Sequence, residues 1–212
     1  SVSFKVENLD DKIKVFTTRP DTIFGVNFMV LSPEYELVEK LTTSDQKEVV
    51  KSYVNKAKLK SERERQADKS VSGVFTGAYA IHPFTGNKVA IWIGEYVLST
   101  YGTGAVMAVP CGDQRDWNFA THFGIEIINI FDGVDISKNA NEEKDVLIAN
   151  SDFLNGLPEK KAIQIAIEEI EKGGFGEEKI NYRLRDAIFS RQRYWGEPFP
   201  VYYKGETAYI LE

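Results

Sequence analysis

Between Val71 and Val109 the chain turns β-rich, and this constrains its fold more than any other feature. Val74 to Ile81, Lys88 to Ile93 and Ala105 to Val109 are short β-branched and aromatic runs. Thr85-Gly86-Asn87 stands between the first two as a hairpin signal. A sheet is therefore expected at the centre, and helical patterns flank it on both sides. Upstream, Lys12 to Thr18 and Asn27 to Leu31 read as strands, and Pro33 to Leu41 as a short helix. A longer helix follows, with Asp45 and Glu48 at capping-box spacing and apolar positions at Val49, Val50, Tyr53, Val54 and Ala57. The stretch Lys56 to Lys69 holds six basic and three acidic residues with little apolar period, and reads as a solvated helical extension or loop. Downstream, Asp113 to Phe123 is helical up to Gly124, Glu126 to Phe131 is strand-like, and 132–157 is a loop-rich acidic stretch. Pro158 to Lys172 is a helix with one stripe of Ile163, Ala166, Ile167 and Ile170, stopped by Gly173-Gly174. The fold class expected is mixed α/β, with a curved or barrel-like sheet core and surrounding helices.

A chain of 212 residues with 42% hydrophobic content can bury a core of one large domain or one domain and an appendage. No apolar run approaches the roughly 18 residues of a membrane helix. The single cysteine, Cys111, forbids an internal disulfide and suits a reducing cytosol. His82 and His122 lack the spacing of zinc ligands, so no metal site is expected. A net charge of −6 argues against broad contact with a nucleic-acid backbone, so any RNA substrate should enter as a short end held in a pocket.

Three hydrolase signatures are absent: the G-x-S-x-G elbow, the H-E-x-x-H helix and the P-loop. Cys111 has no histidine near it in sequence to activate it. Two polar segments remain. One is Thr17-Thr18-Arg19-Pro20-Asp21-Thr22, leaving a strand, and the other runs from Tyr101-Gly102-Thr103-Gly104 to Asp113-Gln114-Arg115-Asp116. Each admits a plain structural reading. Thr17 and Thr18 are strand formers, Asp21 suits a turn, Asp113 an N-cap and Asp116 a helix's first turn.

Together, TTRPDTIFG and YGTGAVMAVP-x-x-DQRD, with GVFTGAYAIH and VAIWIGEY between them, resemble the editing insertion of class I leucyl-tRNA synthetases of bacterial type. The resemblance covers nearly the whole chain, and the TTRPDT form with Asp21 separates it from the isoleucine and valine relatives. Asn181 to Pro200, with Arg183, Arg185, Arg191 and Arg193, is similar to the stretch by which that insertion returns to the catalytic core. The resemblance thus divides the chain into an incoming linker (1–11), an editing domain (12–180) and a return segment (181–212). Ser1 in place of Met fits an excised piece, and without HIGH and KMSKS signatures the chain is not expected to activate amino acids.

The resemblance implies hydrolysis of the ester of tRNA(Leu) mischarged with isoleucine, valine, methionine or norvaline, with water as nucleophile. A pocket separates substrates differing by one methylene only about 10–200-fold, and a second, hydrolytic site supplies the rest. Asp116 matches the aspartate that holds the substrate's α-ammonium group, a cation common to every aminoacyl ester. Thr22 matches the residue that keeps leucine out. Arg19, Thr17, Thr18 and Asp21 match positions near the ester and the 3′-terminal adenosine, and Tyr101, Met107 and Val109 match the pocket wall. Main-chain N–H groups of that wall are candidates for holding a developing oxyanion. Family members commonly have G-H-D where this chain has Cys111-Gly112-Asp113, so Asp113, the main chain or nothing replaces the histidine. No cofactor is implied for editing, since ATP serves only the absent core. The partners implied are the tRNA(Leu) 3′ end and the rest of a synthetase, for a monomer in the cytoplasm with no membrane contact. The alternative is a catalytically silent module that binds the tRNA 3′ end.

Overall fold

A computed structural model describes residues 1–68, 70–100, 102–143, 145–180, 201–205 and 207–210. They fall into two units, Ser1–Glu178 and Lys179–Glu212. In the first, β1 (Val2–Val6), β2 (Lys12–Val15), β3 (Phe28–Leu31), β4 (Val74–Ile81), β5 (Lys88–Ile93) and β6 (Ala105–Ala108) form one sheet in the order β2-β1-β4-β5-β3-β6. Only the β3–β5 pair is parallel. The edge strands β2 and β6 approach each other, so the sheet nearly closes into a barrel. Curling of that kind needs a bend, and β4 supplies one: its register with β5 shifts between Phe75 and Tyr79, around Gly77 at φ +83°.

Side chains alternate across the sheet as pleating demands. Val89, Ile91 and Ile93 of β5 and Met29 and Leu31 of β3 enter the main core with Phe4, Ile13 and Val15. The opposite faces, Trp92 of β5 with Phe28 and Val30 of β3, pack against helix α4 through Phe119. All four β3 residues are buried, which is why that run shows no polar alternation.

Among the described residues five helices surround the sheet: α1 (Val38–Leu41), α2 (Lys47–Lys58), α3 (Glu62–Ala67), α4 (Gln114–Phe123) and α5 (Glu159–Lys172). Helix α4 ends at Gly124, whose φ of +67° is the left-handed cap a glycine accepts freely. Helix α5 buries Ala162, Ala166 and Ile170 and packs on the turn that follows β2. No helix of the described residues is long and apolar enough to cross a membrane.

Several expectations are corrected. Residues 1–11, expected as a linker, contain β1, whose V-S-F-K-V alternation buries Val2, Phe4 and Val6 between β2 and β4. The helix expected from Pro33 is a single turn at Val38–Leu41. No capping box forms at Asp45, which lies in a 3-10 turn; the box lies at Ser61 and Glu64, and it starts α3 as a separate helix. That helix is not wholly solvated, because Arg65 is 8% exposed and paired with Glu34 at 2.6 Å. The stretch Glu126 to Phe131 is no strand: Phe131 alone bridges, to Ile148. Asparagine amides take two of its carbonyls, Asn27 at Glu126 and Asn150 at Asn129, while the Ala149 N–H donates to that of Ile130.

In the second unit, β7 (Val201–Lys204) and β8 (Thr207–Ile210) pair as an antiparallel hairpin with Tyr202 stacked on Tyr209. The return stretch from Asn181 to Pro200 lies outside the described residues.

Candidate active site

The chain leaves β2 into a tightly self-bonded turn. Thr17 Oγ1 accepts the Arg19 N–H at 2.9 Å, and Pro20 then opens a 3-10 turn, Pro20–Gly25, in which all six residues are buried. Arg19 folds onto Asp21 with two short bonds, Nε to Oδ1 at 3.0 Å and Nη2 to Oδ2 at 2.8 Å. Asp21 is fully buried, so this guanidinium supplies the countercharge that its carboxylate needs. Arg19 also reaches Glu159 in the first turn of α5 at 3.5 Å, and the bond to Asp21 raises the Arg19 pKa. Thr22 donates its hydroxyl to the Arg19 carbonyl at 2.9 Å, which leaves its methyl as the group not held. Thr18 is exposed.

A residue the sequence did not single out braces this turn. His82 accepts the N–H groups of Phe84 and Thr85 on Nδ1, so the proton sits on Nε2 and is donated to the Ile23 carbonyl at 3.0 Å. Burial lowers its pKa, against the opposing bond to Ile23, and the ring is neutral. Nothing local in the sequence marks a contact 59 residues away.

The second polar segment meets the first at Gly25. A Cβ there would lie 3.1 Å from Val109 Cγ1 and 3.2 Å from Cys111 Sγ, so a larger residue would press the two segments apart by a few tenths of an ångström. Met107 and Val109 are both buried, and Met107 stands opposite Met29 in the sheet. After Pro110, Asp113 caps α4 by accepting the N–H groups of Arg115 at 2.8 Å and Asp116 at 3.3 Å. Its carboxylate is thus engaged in the helix start, one of the two readings open from sequence. Cys111 is fully buried, and burial pushes its thiol up to about 11, which keeps it protonated and a poor nucleophile.

Asp116 is the focus of the arrangement. It is 8% exposed, and each oxygen holds one protein donor: Tyr96 Oη–H on Oδ1 at 2.9 Å and the Val109 N–H on Oδ2 at 2.9 Å. Burial raises its pKa to about 7, with the Asp113 charge adding to the rise and the two hydrogen bonds and Arg115 opposing it. Among the described residues no cation pairs with it. The Val109 N–H, expected as a candidate oxyanion donor, is committed to this carboxylate instead.

The structure therefore joins Arg19, Asp21 and Thr22 in one buried turn, sets that turn against Val109, and ties Val109 to Asp116. Asp113 lies one helical turn from Asp116 and acts on it through charge. Tyr101 lies outside the described residues. Among the described residues no three His, Cys, Asp or Glu side chains gather as a metal site requires.

The leucine–tRNA ligase of Christiangramia forsetii is 65% identical over 204 residues, covering 95% of this chain and 21% of that protein. That of Bacteroides thetaiotaomicron is 52% identical over 221 residues, covering all of this chain and 23% of the relative. The chain spans about a fifth of the length of these relatives. Among solved structures, the agnB2 LeuRS of Agrobacterium radiobacter K84, in a ternary complex with tRNA and LeuAMS, matches with a TM-score of 0.66 at 29% identity, over 99% of this chain and 23% of that one. The family model described as "Leucyl-tRNA synthetase, editing domain" matches residues 1–171, most of the first unit. The chain belongs to the leucyl-tRNA synthetase editing-domain family.

Proposed function

We propose that this chain is a post-transfer editing hydrolase, which cleaves the ester of tRNA(Leu) charged with isoleucine, valine, methionine or norvaline. The observation that carries the reading is Asp116: a buried carboxylate, bonded by two neutral donors and, among the described residues, in no ion pair. A carboxylate oxygen accepts two hydrogen bonds, so each oxygen of Asp116 keeps a free acceptor site. An α-ammonium group placed there supplies the missing charge and draws the proton off a group that otherwise titrates near 7. The cation is the feature that all aminoacyl esters share, so this contact anchors every substrate without choosing among them.

Choice falls to Thr22. With its hydroxyl held by the Arg19 carbonyl, the methyl is fixed in a buried turn and narrows the space for a side chain. Arg19 and Asp21 hold that turn rigid through their ion pair, and Arg19, 36% exposed, still offers guanidinium surface to the terminal adenosine. Thr17, Thr18, Tyr101, Met107 and Val109 complete the site in this reading. Water is the nucleophile in this reading, since Cys111 is protonated and no other side chain among the described residues is activated for covalent attack. An aminoacyl ester is labile, and holding it beside an ordered water supplies the rate. The reaction needs no cofactor and takes place in the cytosol, with tRNA and the rest of a synthetase as partners.

The test is deacylation of isoleucyl- and leucyl-tRNA(Leu) by this chain beside its Asp116→Ala variant. Faster loss of isoleucine, abolished by the substitution, supports the reading. Unchanged hydrolysis in the variant refutes it. Gly112 favours a second reading, a silent module for the tRNA 3′ end, which predicts binding of an aminoacyl-adenosine analogue without turnover.

A further inference from the structure

We propose that Tyr96 is the positioning residue of the ammonium subsite: its hydroxyl holds Asp116 in the orientation and charge state that receive the substrate's α-ammonium group. The proposal rests on the editing reading above and concerns a residue with no part in it so far. Tyr96 lies in the turn after β5, twenty residues before the carboxylate it bonds. Its ring packs on Phe119 with centroids 5.7 Å apart, inside the apolar cluster between the sheet and α4. Gly94 makes the room: a Cβ there would lie 2.8 Å from Val30 Cγ1 and 3.2 Å from the Tyr96 ring.

For packing alone, phenylalanine would fill this place without burying a hydroxyl, which costs free energy unless bonded. The oxygen has one polar partner among the bonds described, Asp116 Oδ1. Electrostatic help for the ionised carboxylate is otherwise scarce. On its own helix Asp113 opposes the charge and exposed Arg115 favours it weakly. From the turn after β6, Cys111 contributes a neutral thiol, and Arg19 from the 3-10 turn is bound to Asp21 and Glu159. Two hydrogen bonds remain, and the one from the Val109 main chain cannot be altered by a side-chain substitution. Tyr96 is therefore the side chain among the described residues that hydrogen-bonds the Asp116 carboxylate, favouring its ionised form and fixing its orientation, and its own proton stays fixed because burial and Asp116 push the phenol far above its ordinary range.

Tyr96→Phe removes one atom and tests this directly. The ionisation of Asp116, followed by carbon NMR of its carboxyl, should move up by about one pH unit, so that about tenfold less of the ionised form remains in the acid limb. Deacylation of isoleucyl-tRNA(Leu) should fall in kcat/KM by about fivefold near neutrality and about tenfold in the acid limb, chiefly through KM, and less at higher pH. Difluorotyrosine at the same position, a stronger donor, should move the carboxyl the other way. Loss of activity by one factor at every pH, or an Asp116 ionisation that neither replacement moves, overturns the proposal and leaves the editing reading standing. A wild-type chain that hydrolyses no ester overturns both.

Discussion

Replacing Asp116 with asparagine keeps the shape of the side chain and removes its charge. The amide oxygen can accept the Val109 N–H, and the amide nitrogen can donate to Tyr96, whose hydroxyl turns from donor to acceptor. What changes is the cost of holding an ionised group out of water. The carboxyl stands at about 7 in the fold against an ordinary value of 3.8. Between these values the folded protein keeps a proton that the unfolded chain has lost, so stability falls as pH rises from about 4 to about 7 and is level above. The gap is about three pH units at about 1.36 kcal/mol each, which makes about 4 kcal/mol the upper bound of the cost at neutrality. Asp116→Asn lacks this slope. Its stability relative to wild type should therefore grow by up to about 4 kcal/mol across that window and then hold constant. His82 contributes the opposite trend: its depressed pKa gives stability that is full above 6.5 and is lost as pH falls below. It is common to both proteins and cancels in the difference. Urea denaturation in steps of about one pH unit from about 4.5 to about 8.5 measures the effect. Parallel curves for the two proteins would refute the argument that Asp116 is ionised at a cost. The same variant should lose about a hundredfold in deacylation, because an amide makes no charge-assisted bond to the ammonium group. A protein that is firmer above neutral pH and nearly inert shows directly what the site gives up in stability to keep its charge.

Three further substitutions probe the neighbouring residues. Thr22→Ala should begin to hydrolyse correctly charged leucyl-tRNA(Leu), and continued rejection of leucine would remove Thr22 as the steric gate. Arg19→Ala should lower stability by about 3 kcal/mol, because Asp21 is left buried without its countercharge, and a loss below about 1 kcal/mol in urea would show that the pair does not hold the turn. Gly112→His is a mild insertion at its first atom: a Cβ at Gly112 lies 3.3 Å from Phe131 Cζ, close enough to need a shift of a few tenths of an ångström in that ring. Its stability should change by about 1 kcal/mol or less, and deacylation should rise by about tenfold if an imidazole orients water there; equal or lower activity would show that this chain makes no use of one.

Elements set by local pattern were legible in the sequence. The β4–β5 hairpin, the stop of α4 at Gly124 and the existence of α5 each depend on residues close in the chain, whereas the buried stripe of α5 is turned from the expected one, with Ala162 beside Ala166 and Ile170 in place of Ile163 and Ile167. The family of the site was legible too, through its separated motifs. What was not legible depends on distant partners. Ile127 and Ile130 give 126–131 the look of a strand, yet they are drawn into the core while Asn27 and Asn150 take the backbone carbonyls beside them. His82 and Tyr96 gain their importance only where folding sets them against Ile23 and Asp116. Asp113 shows the converse: the sequence offered a helix cap and a site residue together, and the cap is the bond that forms.

The first strand has a consequence for how the unit is assembled. Ser3 donates to the Phe175 carbonyl, Val2 bridges Gly176, and Glu177 donates to the Ser1 carbonyl. The opening residues of this unit are thus sewn to its closing ones. During synthesis β1 can meet β2 early, and β4 then covers its other edge at Lys5 and Val6, but the part of that edge at Ser1 to Ser3 must wait until residues near 175 have left the ribosome. Contacts of such long sequence separation form late and slowly. Until they do, an apolar strand edge stays open to pairing with other chains, and this interval is when the polypeptide is most prone to aggregate.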